Sequence, residues 1–280
     1  MLPCVSGCKI HFATGSRAGA SQEARRACGH GMELKDCVVL VTGASSGLGR
    51  ALAQAFGQAG SSVAVGYRAG REAADKTCAG ITAAGGRAAA IRLDQTDPAS
   101  IVSAVAQTLQ QFGRIDILVN NAAWSTDIPF ADLEAMTPEL WDRIQTTNLR
   151  GPFLLARACA PHMRAQRRGR IVNVSGASAF TTSGSSLAQA TAKAALVHLT
   201  RCLAVALAPD ITVNCVAPGL MEGTGMGARV SPAGVAAARA RTLLKRTTPM
   251  DDVTAQVLAF CRSDSVTGQT LLIDGGHAFH

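Results

Sequence analysis

Apolar residues along this chain fall into short blocks near 37–42, 62–67, 87–93, 115–120, 169–175, 210–216 and 270–273. Blocks of this length, rich in Val, Ile and Leu, predict strands covered on both faces. Between them the apolar positions recur at helical spacing near 47–59, 71–84, 97–112, 138–166, 186–208 and 249–262. Strand and helix therefore alternate, which predicts an α/β protein: a single doubly wound, seven-stranded parallel sheet flanked by helices. Right-handed crossovers place its ligand crevice at the carboxyl ends of the strands. One stretch breaks the rhythm. Residues 220–246 carry Gly223, Gly225, Gly227, Pro232 and Gly234 and are expected to form a mobile lid over the substrate.

The patterned region spans residues 32–280, and an apolar share of 48% supplies one large core. The first 31 residues are rich in Gly, Ala, Ser and Arg without periodicity, and Met32 stands just before the patterned domain. They are expected to be a disordered N-terminal extension, with neither the basic start nor the long apolar run of a secretory signal. No run of about 18 apolar residues lacks polar interruption, so no membrane span is expected. The nine cysteines are scattered, which suits a reducing cytoplasm better than a disulfide scaffold. Cys4, Cys8, His11, Cys28 and His30 match no compact zinc spacing, so no metal is expected. The net charge of +8 is dispersed and the chain has one Tyr and two Trp, so an anionic cofactor accounts for the charge without a nucleic acid.

The segment Thr42-Gly43-Ala44-Ser45-Ser46-Gly47-Leu48-Gly49 joins the first predicted strand to the first predicted helix. Glycines at this spacing allow a tight turn, a close approach of backbone to a pyrophosphate and close helix packing, while the helix N-terminal amides attract the phosphates. Further along stand Asn120-Asn121-Ala122-Ala123, Asn148 in Thr147-Asn148-Leu149, Lys193 in Gln189-Ala190-Thr191-Ala192-Lys193, Val213-Asn214-Cys215-Val216-Ala217-Pro218-Gly219, and Ile273-Asp274-Gly275-Gly276. In this order, from Met32 to Gly276, the series resembles the short-chain dehydrogenase/reductase family.

That resemblance implies a Rossmann-like fold, a nicotinamide dinucleotide and a homodimer or homotetramer. It places the dinucleotide on Gly43, Ser45, Ser46, Gly47, Leu48 and Gly49, on Asn121 and Ala122, and on Lys193, Pro218 and Gly219. An acidic residue ending the second strand would hold the ribose hydroxyls of NAD, but Tyr67 stands there and Arg68 follows. A guanidinium suits the 2′-phosphate, so the cofactor is expected to be NADPH/NADP+. Asp94 matches the family's adenine-contacting aspartate, with Gln95 beside it; Asp94 equally fits a cap on the following helix. Pocket walls are expected at Trp124, Ser178, Phe180, Met221 and Met226, which suits a hydrophobic small molecule.

The catalytic positions depart from the family. Its tyrosine is replaced by Gln189 and its serine by Gly176, whereas Asn148 and Lys193 remain. Tyr67 is the only tyrosine and is assigned to the adenosine end, so no other can substitute. The expectation is an atypical NADPH-dependent reductase of a carbonyl, imine or conjugated enone, with its proton drawn from water or substrate. The alternative is a non-catalytic NADPH-binding pseudoenzyme or a scaffold or regulatory partner.

Overall fold

A computed structural model describes residues 31–279. The extension expected over residues 1–31 lies, Gly31 apart, outside the described residues. From Met32 onward the described residues form one compact unit.

The chain runs β1 (Val38–Val41), α1 (Gly47–Gln58), β2 (Ser62–Tyr67), α2 (Arg71–Ala83), β3 (Arg87–Arg92), α3 (Pro98–Phe112) and β4 (Ile117–Asn120). It continues through α4 (Pro138–Gln145), a π-turn at Thr146–Arg150, α5 (Gly151–Ala165), β5 (Gly169–Val174), α6 (Leu187–Leu207) and β6 (Ile211–Pro218). The last elements are α7 (Pro232–Arg241), α8 (Met250–Arg262) and β7 (Thr270–Ile273). The sheet is seven-stranded, in the order β3-β2-β1-β4-β5-β6-β7, and every pairing is parallel. The strand order reverses between β1 and β4, where a doubly wound sheet opens its ligand crevice.

The apolar blocks are explained by two cores, one on each face of the sheet. Val39, Val41, Val63, Val65, Ile117 and Val119 pack with α1, α2 and α8 on one face. Leu40, Ala64, Leu118 and Ile171 pack with α3, α5 and α6 on the other. Each fully buried aliphatic side chain contributes about 1.5–3 kcal/mol, so a strand buried on both sides favours Val, Ile and Leu. α6 has the length and composition of a membrane-crossing helix. It belongs instead to the core: it lays Leu203, Ala204 and Leu207 against the sheet and also buries Gln189 and Lys193.

Two expectations need correction. The helix expected over 138–166 is divided by the π-turn at Thr146–Arg150, which carries Asn148. Within the lid segment a helix that the periodicity does not signal, α7, forms. Ser231 caps that helix by accepting from the Gly234 N–H at 3.1 Å, and Pro232 takes its first turn. No residue of α7 is buried, so it lacked the apolar periodicity that marks the other helices. The alternative role for Asp94 also falls: Asp97 caps α3, accepting from Ala99 N–H at 2.9 Å.

The turn after β1 is the tightest point of the fold. Gly43 has φ of +65°, and a Cβ on Gly49 would come within 2.2 Å of the Gly43 carbonyl oxygen. Backbone cannot yield as a flexible side chain does, so Gly49→Ala is expected to destabilise the protein by about 1–3 kcal/mol. Gly225→Ala, where a Cβ has nothing within 4 Å, is the control and should leave the urea-unfolding midpoint close to that of wild type. Equal midpoints for the two variants would show that the turn is not held as described.

Candidate active site

The carboxyl ends of β1 and β4 are stitched together by Thr42 and Asn121. Thr42 Oγ1 accepts from the N–H groups of Asn121 and Ala122 at 3.0 and 2.9 Å. Asn121 Nδ2 donates back to the carbonyls of Thr42 and Gly43 at 2.9 and 3.4 Å. Gln95 is buried and spans the neighbouring gap, donating to the carbonyls of Ala122 and Thr147 at 2.9 and 2.7 Å. Gln95 and Asn121 thus shape the floor of the crevice through their side chains. Leu48 packs into the core, leaving its backbone toward the turn.

The N-terminus of α1 fits an anionic group. Ser46 caps it without a side-chain hydrogen bond, and no acidic residue occupies the first turn. Its amides and their positive end of the helix dipole are therefore not neutralised locally. Thr224, from the segment after β6, lies over Gly47 at 3.4 Å from where a Cβ would stand. Ser45 is half-buried beside them, its carbonyl accepting from Arg50 at 2.6 Å.

At the end of β2 the structure separates the paired residues. Tyr67 is packed into the core, with the Arg71 guanidinium 5.9 Å from its ring centroid. Arg68 is exposed. Asp94 accepts from the backbone N–H and hydroxyl of Thr96 at 2.9 and 2.7 Å. Burial opposes ionisation of Asp94, but the Thr96 hydrogen bonds and then Arg68 and Arg92 outweigh it and hold its pKa below the usual carboxylate value.

A cavity of about 390 Å³ opens beside the ends of β5 and β6, lined by Gly176, Ser178, Gln189, Lys193, Pro218, Gly219, Met221 and Met226 among others. Trp124 and Phe180, expected as walls, are not part of its lining. Trp124 instead packs against Ile144, Ala188 and Ala192, with the Arg143 guanidinium 3.8 Å from its ring centroid.

Asn148 is buried on the π-turn, and its amide clamps the backbone of Trp124. Its Oδ1 accepts from the Trp124 N–H at 2.9 Å, and its Nδ2 donates to the Trp124 carbonyl at 2.8 Å. Asn148 is not among the cavity-lining residues. Lys193 is buried on α6 and donates to the Val174 carbonyl at 2.7 Å. Loss of solvation lowers its pKa to about 8, with nearby Cys215 opposing the shift. Ser175 Oγ donates to the Lys193 carbonyl at 2.8 Å, fixing the helix to the end of β5.

Gln189 stands one helical turn before Lys193 and is 8% exposed. Its Oε1 is buried without a hydrogen-bond partner. Gly176 has an extended backbone, and a Cβ there would meet Ser178 Oγ at 3.5 Å and the Pro218 carbonyl at 3.8 Å, ordinary contact distances. Sequence reading missed Arg229, Arg241, Arg246 and His277 in the lining. The first three lie in the Gly-rich segment that gave no helical signal, and His277 is turned inward by the C-terminal loop.

Residues 43–278 match the family model described as Enoyl-(Acyl carrier protein) reductase. The chain is 36% identical to a 3-oxoacyl-acyl-carrier-protein reductase of Thermotoga maritima, over 88% of this chain and 99% of that one. It is 37% identical to versicolorin reductase 1 of Aspergillus parasiticus, over 85% of this chain and 95% of the relative. A crystal structure of a short-chain type dehydrogenase/reductase from Mycobacterium marinum superposes with a TM-score of 0.80 at 34% identity, over 88% of this chain and 96% of that one. With the parallel sheet, the glycine turn and the lysine on α6, these likenesses place the chain in the short-chain dehydrogenase/reductase family, as an oxidoreductase of the ketoreductase type.

Proposed function

We propose that the chain is an NADPH-dependent reductase of a carbonyl, imine or conjugated enone in a hydrophobic small molecule, and that water or the substrate itself supplies the proton. The observation that carries this reading is the Gln189 amide, which lines the cavity one turn before Lys193 with a buried, unpartnered Oε1. An amide donates and accepts hydrogen bonds but does not release a proton at neutral pH. Gly176, where the family has its serine, adds no hydroxyl. The place of the family's acid is thus taken by a hydrogen-bonding group alone.

When bound, the nicotinamide dinucleotide supplies the hydride. The residues present suit it: the uncapped α1 terminus for the pyrophosphate, Asp94 for adenine, and Pro218 and Gly219 beside the cavity. Lys193 stays largely protonated near neutrality, since its lowered pKa is still about 8, and it adds positive charge where the dinucleotide ribose is expected. Asn148 acts by holding the Trp124 backbone in place.

Magnitudes support surviving catalysis. A positioned general acid is worth about 10²–10⁴-fold, roughly 3–5 kcal/mol. Holding donor and acceptor together contributes about 7–11 kcal/mol. An enol, a phenol beside a ketone, or a protonated imine compensates for the missing acid. The O–H lies next to the developing alkoxide, and an iminium nitrogen becomes neutral on accepting the hydride.

Two outcomes follow. Arg68→Ala should weaken NADPH binding by about tenfold or more, the worth of a charged hydrogen bond, and leave NADH binding nearly unchanged. Fluorescence titration of the cofactors measures this, and equal weakening of both would contradict the phosphate assignment. With NADPH, an aryl ketone bearing an ortho-hydroxyl should be reduced at least about tenfold faster than its methyl ether, because only the former carries a proton. Equal rates would remove the donor requirement.

A further inference from the structure

Six charged side chains line the cavity, and four of them are already engaged. Asp127 pairs with Arg229 at 3.4 Å, and Arg229 also donates to the Ser125 carbonyl at 2.7 Å. The Asp274 carboxylate accepts from the backbone N–H groups of Gly276, His277 and Ala278 at 2.9, 3.2 and 2.8 Å. Lys193 donates to Val174, as described. Arg241 and Arg246 remain: among the described residues neither guanidinium has an ion pair or hydrogen bond. Nearby cations are satisfied by contrast. Arg239 pairs with Glu222 at 2.7 Å, and Lys245 donates to the Ala240 carbonyl at 2.8 Å.

The backbone that carries the two arginines is fixed. Arg241 ends α7, and the buried Thr242 beside it accepts from the Arg246 N–H at 3.1 Å while its hydroxyl lies 3.0 Å from the Arg239 carbonyl. Leu220, Met221, Met226, Val230 and Ala238 give the same cavity an apolar wall. The cavity therefore presents apolar side chains and two uncompensated planar cations, each suited to hydrogen-bonding an oxyanion.

We infer that Arg241 and Arg246 form a binding subsite for an oxyanion of the substrate, a carboxylate or a phosphate ester, on a molecule whose remaining body is apolar. This deepens the proposed reductase reading, because it rests on the same cavity receiving the substrate. The pair sets specificity by holding the anionic end, and it is not part of the reacting centre.

Direct calorimetric titration of the purified protein tests the subsite, with and without NADPH, using naphthoate, naphthyl phosphate and the uncharged naphthamide. At least one anion should bind about tenfold or more tightly than the amide, the worth of one charged hydrogen bond. The tighter of the two anions identifies the oxyanion. Arg241→Gln with Arg246→Gln should abolish that difference and leave naphthamide affinity as in wild type. Both arginines are exposed, and an unchanged thermal midpoint shows that the variant is folded. Equal binding of charged and neutral probes to wild type, an anion preference that survives both substitutions, or no binding of any probe overturns the inference. Turnover is not required. Anion selectivity in a protein that oxidises no NADPH keeps the subsite and removes the reductase reading, whereas NADPH oxidation without selectivity does the reverse.

Discussion

A line of buried amides and hydroxyls fixes helix α6 to the sheet, and the positions of Gln189 and Lys193 depend on it. Asn120 at the end of β4 donates to Asn173 Oδ1 in β5 at 2.9 Å, and Asn173 donates to Thr200 Oγ1 in α6 at 2.9 Å. Thr200 Oγ1 donates in turn to the Leu196 carbonyl at 2.9 Å. A buried polar group left unpartnered costs about 1–3 kcal/mol, so sliding α6 along the sheet would break several such bonds at once. Ser175 and Lys193 add two further ties at the end of β5. Gln189 and Lys193 therefore face the cavity from a helix that cannot easily rotate.

The cavity combines two unmet demands. Gln189 Oε1 wants a donor, and Arg241 with Arg246 want an anion. Leu220, Met221, Met226, Val230 and Ala238 add apolar surface, so a small amphipathic molecule answers all three conditions. Rigid and adjustable parts are divided accordingly. The glycine turn and α6 belong to the sheet, whereas α7 buries none of its residues; Arg241 ends it and Arg246 lies in the segment that follows.

Much of this was legible in the sequence because strands covered on both faces are rich in aliphatic residues. The seven blocks fell on the seven strands within a few residues. The glycine turn was equally legible, since Gly49 faces backbone and tolerates no side chain. The hidden features are those set by tertiary placement. Nothing in the sequence separated Tyr67, whose ring enters the core, from Arg68, which is exposed. The π-turn at Thr146–Arg150 leaves helical periodicity nearly intact on either side. Trp124 was read as a pocket wall because it follows the asparagine pair, but the Asn148 clamp and the Arg143 stack place it elsewhere. α7 lacked a buried stripe, so only its Ser231-Pro232 start could have revealed it.

The central claim is that the native reaction proceeds without the family's acid because the substrate or water provides the proton. Restoring that acid with Gly176→Ser and Gln189→Tyr tests it most directly, since a side chain at 176 meets only ordinary contacts. NADPH oxidation is followed for wild type and the double variant, with a simple aryl ketone and with its ortho-hydroxy counterpart. The account predicts that wild type reduces the hydroxy ketone, and that the variant gains about 10²–10⁴-fold on the simple ketone. A wild type that consumes no NADPH with either ketone, beside a double variant that reduces both, would contradict it and make the natural chain a cofactor-binding protein.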